Sequence, residues 1–73
     1  MEIGSTIKQV RIAAGLTQRV CAERAGMSTS RWADIEADRY SPSVDNVERV
    51  AQALGTNTIG LWLARHNMME KDQ

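Results

Sequence analysis

The chain has one cysteine, one proline and no phenylalanine, and aromatic residues make up 4% of its 73 residues. A lone Cys21 excludes an internal disulfide and any cysteine-built zinc site, and the single His66 has no partner at metal-ligand spacing. No apolar run approaches the length of a membrane span, and no basic, apolar and small-residue leader opens the chain, so the expected location is the cytoplasm, without a membrane partner. No nucleophile stands beside a base, no carboxylate pair marks a cleft and no glycine-rich loop is built to cradle a phosphate. These gaps argue against an enzyme and leave no catalytic residue, metal, cofactor or small-molecule ligand to assign.

Net charge is also missing, because nine cations balance nine anions. That balance speaks mildly against a nucleic-acid partner, since neutralising phosphates supplies much of the affinity for DNA. Its distribution is uneven, however. Residues 1–31 set Lys8, Arg11, Arg19, Arg24 and Arg31 against only Glu2 and Glu23, whereas the remainder carries the reverse excess, with Asp34, Glu36, Asp38, Asp45, Glu48, Glu70 and Asp72 outnumbering Arg39, Arg49, Arg65 and Lys71. One end of the molecule is therefore equipped to face phosphate. A chain of this length makes one domain with one core and buries only roughly 60% of its unfolded surface, so association with a second copy would add useful stability.

What the sequence does have is helical punctuation. Nothing alternates with period two, while apolar residues recur at three and four, so an all-α fold is expected. Ile3, Ile7, Val10 and Ala14 share one face of a first helix over about 4–14, closed by Gly15 as a left-handed cap with Leu16 beyond it. Thr17 caps a second helix whose inward side is Val20 or Cys21, together with Ala22 and Ala25; Gly26 stops it. Only Gly26 and Met27 then separate it from the next cap, Ser28, and so short a connection is the spacing of a helix-turn-helix. The third helix, from Thr29 to about Ala37, turns Trp32 and Ile35 inward and Thr29, Ser30, Ala33 and Asp34 outward. Ser41-Pro42 forces an extended link. Ser43 caps a fourth helix with the apolar stripe Val44, Val47, Val50, Ala51 and Leu54, ended by Gly55. A fifth, weaker helix begins after Asn57. The expected domain spans 1–66, with 67–73 as a frayed C-terminal tail.

Over roughly positions 3–63 these residues resemble the helix-turn-helix family of the lambdoid phage repressors and Cro proteins. The signature stands here as Arg11, then Gly15-Leu16-Thr17-Gln18, then Ala22, Gly26, Ser28, Ile35-Glu36, Pro42 and Ala53-Leu54-Gly55. The joint spacing is more specific than any one element. The chain departs from the family pattern at Cys21, where leucine is usual, at Asp38, where glycine is usual after the third helix, and at Asp34, where a polar or basic residue is common.

The resemblance implies a compact five-helix, lambda-repressor-like fold and a transcriptional regulator that binds double-stranded DNA in the nucleoid. The third helix would lie in the major groove, with Thr29, Ser30, Ala33 and Asp34 reading bases: the hydroxyls toward either edge, Ala33 toward a thymine methyl, Asp34 toward a cytosine amine. Gln18, Ser28 and Arg31, with Arg19 and Arg39 as weaker candidates, would grip phosphate. Arg11 and Glu36 match positions that form a structural ion pair, which would fix the angle of the reading helix. Ile59, Trp62 and Leu63 are more apolar surface than a short terminal helix needs, and they are the expected interface of a homodimer; the alternative is that Trp62 only caps the monomer core. A two-fold dimer would place its reading helices roughly 34 Å apart and read a palindromic operator with half-sites about 10 base pairs apart. The competing function is a helix-turn-helix fold serving as a protein-protein adaptor, or an antitoxin-like partner, with no DNA target of its own.

Overall fold

The computed structural model describes residues 3–71, and among them the chain forms α1 (Gly4–Ala13), α2 (Gln18–Ala25), α3 (Thr29–Glu36), α4 (Val44–Ala53) and α5 (Thr58–Lys71), with no strand. The starts of the inner helices are set by short polar side chains. Thr17, Ser28 and Ser43 sit in extended conformation, and their hydroxyls accept from the backbone N–H three residues on, at Val20, Arg31 and Asn46. Asn57 does the same for α5 through Gly60. At the end of α1, Gly15 takes a φ of 72°, and the N–H of Leu16 reaches back to the carbonyl of Arg11, the bond pattern that needs a left-handed residue at the turn.

The core gathers one face of every helix. Ile7, Cys21, Trp32, Ile35, Val50 and Leu61 are its largest fully buried side chains, and Val10, Leu16, Met27, Tyr40 and Trp62 pack against it from the margin. The choice left open on α2 falls to Cys21, which is buried, while Val20 is exposed. Two residues depart from their expected faces. Val44, assigned to the inward stripe of α4, is 83% exposed, because it is the first residue of that helix and projects before the helix meets the core. Ala14 lies beyond the last residue of α1 and is exposed as the chain turns at Gly15. The helix at the C-terminal end shows no break at residue 66, since α5 continues to Lys71; residues 72 and 73 of the expected tail lie outside the described residues. Among the described residues no helix is long and apolar enough to cross a membrane.

The packing of α1 on the far end of α3 positions everything that follows. Asp38 adopts a φ of 59°, a left-handed conformation that usually goes to glycine, and its carboxylate accepts from the N–H of Gly4 at 3.0 Å. The carboxylate thus caps the first turn of α1 from 34 residues away, where Ile3 offers no side-chain cap of its own. Gly4 is required on the other side of this contact. A Cβ there would collide with the backbone carbonyls of Ile35 and Glu36 and with the Asp38 carboxylate.

Candidate nucleic-acid interface

Glu36, the last residue of α3, is nearly buried and accepts hydrogen bonds from three side chains. Arg11 approaches in two-pronged fashion, Nε to Oε2 at 2.7 Å and Nη2 to Oε1 at 3.2 Å. Gln18 Nε2 donates to Oε1 at 3.0 Å and the Trp32 indole N–H to Oε2 at 2.5 Å. Arg11 also donates to the carbonyl of Leu16 at 3.0 Å, tying the turn after α1 into the same network. Burial opposes ionisation of Glu36 more than any other single influence. The bonds from Arg11, Gln18 and Trp32, with the charge of Arg11, together outweigh it and hold the carboxyl below its ordinary range. The bond to Glu36 in turn raises the pKa of Arg11 against its own burial. The outcome is a carboxylate satisfied by α1, α2 and α3 at once, which sets the orientation of α3 relative to the two helices before it.

At its other end α3 is open. Thr29 and Ser30 are exposed, and among the described residues neither hydroxyl is hydrogen-bonded. Ala33 and Asp34 continue the same outer side, half-buried. Asp34 is not a bare carboxylate: Arg39 Nε donates to it at 3.1 Å, so its negative charge is partly neutralised on the outer surface. The charge reading of the sequence missed this pairing because the two residues sit on opposite sides of a helix end.

The structure divides the remaining phosphate candidates by what already occupies them. Gln18 Nε2 already donates to Glu36, and the Ser28 hydroxyl accepts from the N–H of Arg31 as the cap of α3, which leaves its own O–H to donate. Arg19 meets Glu23 across one turn at 3.4 Å, an exposed pair of small worth. Arg31 is exposed, and its guanidinium stacks 4.0 Å from the centre of the Tyr40 ring, which holds the cation beside the start of α3. On α5, Ile59 is 73% and Leu63 58% exposed, while Trp62 is half-buried against the core. Trp62 also lines an apolar cavity of about 210 Å³ with Ile3, Pro42, Val44 and Val47. No group of three or more histidine, cysteine or acidic side chains among the described residues is arranged to hold a metal.

Against known proteins, residues 2–59 match the family model described as a helix-turn-helix domain. The immunity repressor protein of Bacillus phage phi105 is 51% identical over 55 residues, 75% of this chain, but the match spans only 38% of that repressor's length. An uncharacterized HTH-type transcriptional regulator of Methanothermobacter thermautotrophicus is 42% identical over 53 residues, covering 73% of this chain and 77% of the relative. Among solved structures, the clp gene regulator ClgR of Corynebacterium glutamicum superposes with a TM-score of 0.86 over 97% of this chain and 76% of its own, at 22% identity, a likeness of fold. The restriction-modification controller protein C.AhdI of Aeromonas hydrophila gives 0.78 over 82% of this chain and 91% of its own, at 27% identity.

Proposed function

The chain belongs to the helix-turn-helix domain family, and from that premise we propose that it is a transcriptional regulator that binds double-stranded DNA through α3. One observation carries this reading above the others. The outer side of α3 begins with two exposed, unengaged hydroxyls, while its far end is locked by a buried carboxylate that accepts from three residues. A helix that is rigidly aimed yet chemically unsatisfied at its exposed start is suited to enter a major groove N-terminus first. Thr29 and Ser30 meet base edges, Ala33 offers its methyl to a thymine, and Asp34 presents the oxygen that Arg39 does not engage to a cytosine amine. Arg31 and the open backbone N–H groups at the starts of α2 and α3 take phosphates, with Arg19 and Arg39 at the margins. The relatives are named repressor and transcriptional regulator, and the chain is read accordingly as a regulator rather than an enzyme, acting on DNA in the cytoplasm.

Two copies would associate through α5, where Ile59 and Leu63 are exposed and Trp62 borders the apolar cavity beside Val44. That arrangement predicts a palindromic operator with half-sites about 10 base pairs apart. The adaptor reading drew its support from the absent net charge and from Asp34. The pairing of Asp34 with Arg39 removes much of the second argument.

The test is fluorescence anisotropy with labelled duplex from upstream of the chain's own gene and a scrambled duplex of equal length, at about 50 and 200 mM salt. Preferential binding of the upstream duplex that weakens steeply with salt is the expected result. Equal, weak and salt-insensitive signals would overturn the DNA reading and favour the adaptor.

A further inference from the structure

Beside the start of α3, on the side that faces α4, lies a polar notch of about 260 Å³ bounded by Gly26, Met27, Ser28, Arg31, Asn46 and Arg49. Its lining contains two guanidinium groups, a hydroxyl and an amide, and no carboxylate. The two cations come from different elements, Arg31 from α3 and Arg49 from the exposed side of α4. Arg31 is already steadied by the Tyr40 ring, and Arg49 has no ion-pair or hydrogen-bond partner among the described residues. In a chain with as many anions as cations, two arginines lining one concavity that no carboxylate lines form a local surplus of positive charge that the whole-chain balance hides, with Asp45 and Glu48 the nearest acidic residues along α4.

We infer that this notch is a binding site for a single DNA backbone phosphate, clamped between Arg31 and Arg49 with Asn46 as an added donor. The inference rests on the DNA-binding reading above and extends the contact surface from the helix-turn-helix to α4. A planar guanidinium presents paired N–H donors that match phosphate oxygens, and two of them closing from different helices fix the position of the strand as well as holding it. The notch adjoins Ser28 and the exposed start of α3, so a phosphate seated there sets the register in which Thr29 and Ser30 meet the groove. Because the contact is to backbone, it raises affinity for every sequence alike.

The experiment compares the full chain with Arg49→Gln, Arg31→Gln and the double variant, using a labelled random-sequence duplex of roughly 30 base pairs and a sodium chloride titration. Both arginines are exposed, so an unchanged thermal midpoint verifies folding of each variant. Arg49→Gln is expected to weaken binding about tenfold at roughly 50 mM salt, and the double variant to flatten the slope of log affinity against log salt by about 0.9, the share of one phosphate. The double variant is expected to lose less than the product of the two single losses, because both arginines serve the same anion. Steep salt dependence in the unsubstituted chain with no change in Arg49→Gln would overturn this inference alone, and independent, multiplicative losses would overturn the shared clamp. Absence of any salt-dependent affinity in the unsubstituted chain would overturn the DNA reading and the inference with it. In a parallel arm, inorganic phosphate at constant ionic strength is expected to leave the Arg49 side-chain NMR signal unmoved below the millimolar range. Tight phosphate binding abolished by Arg49→Gln would instead assign the notch to a free anion and overturn its assignment to DNA.

Discussion

At its C-terminal end α3 finishes in Glu36, which is buried and accepts from Arg11, Gln18 and Trp32; at its N-terminal end Thr29 and Ser30 carry exposed hydroxyls that bond to none of the described residues. The same eight-residue helix therefore places its strongest internal polar interactions at one end and leaves the other unspent. The contrast separates two roles that are easily confused in mutational data. A change at the satisfied end alters the direction in which the helix points, whereas a change at the open end alters only what it touches. Loss of DNA binding after substitution at Arg11, Gln18 or Glu36 would thus say little about contact with DNA.

The largest expected effect comes from cutting the satisfied end. Glu36→Ala strands Arg11 without its partner and leaves the Trp32 N–H and the Gln18 amide unmatched. It is expected to lower the unfolding free energy by about 3–5 kcal/mol in urea titrations followed by circular dichroism. The acid limb of stability should identify the same group. Since the folded carboxyl is held below its ordinary value, its contribution is complete above the unfolded value, about pH 4.3, and is lost as pH falls through the folded value. Glu36→Gln, which cannot ionise, is expected to flatten this decline between roughly pH 5 and 3 relative to the parent chain. A parallel decline in both proteins would transfer the acid sensitivity to other carboxylates.

Asp38 sharpens the comparison with a smaller effect. Asp38→Ala loses the cap on Gly4 and keeps an unfavourable left-handed φ, for an expected cost of about 2 kcal/mol. Asp38→Gly loses the cap but relieves the backbone, and is expected to cost about 1 kcal/mol or less. Equal losses in the two variants would show that the cap, and not the backbone, dominates. The smallest change in stability belongs to the open end. Thr29→Ala and Ser30→Ala should leave the unfolding free energy within about 0.5 kcal/mol of the parent while weakening binding to a specific duplex by about 1–3 kcal/mol each. A stability loss comparable to that of Glu36→Ala would erase the distinction between the two ends.

Local signals in the chain were legible. Thr17, Ser28 and Ser43 marked the starts of α2, α3 and α4, and Gly15 and Gly26 marked ends, because a cap satisfies backbone groups only three or four residues away. Burial of Trp32 and Ile35 followed from their spacing on one helix face. Of the bonds that span the fold, the resemblance supplied the Arg11–Glu36 pair, and the others could not be read from neighbours. Gln18 sits at the exposed start of a helix in sequence, yet in space it is 3.0 Å from the far end of α3. Asp38 looked like a misplaced glycine because its partner, Gly4, lies in α1. Arg49 attracted no attention on α4, since the cation and the turn that complete its notch come from elsewhere in the chain. Val44 shows the converse error, where an apolar residue in correct helical phase is left outside because the helix has only just begun.

The departure at Cys21 has a practical use. The only thiol in the chain is 0% exposed on the inward side of α2, and burial pushes its pKa up despite the nearby charges of Arg11 and Arg24. A thiol in that position is inert to labelling reagents until the core opens. The rate at which it reacts therefore times the opening of the domain in the unaltered protein, without an introduced probe. Any duplex that grips the closed form will slow that clock in proportion to its occupancy.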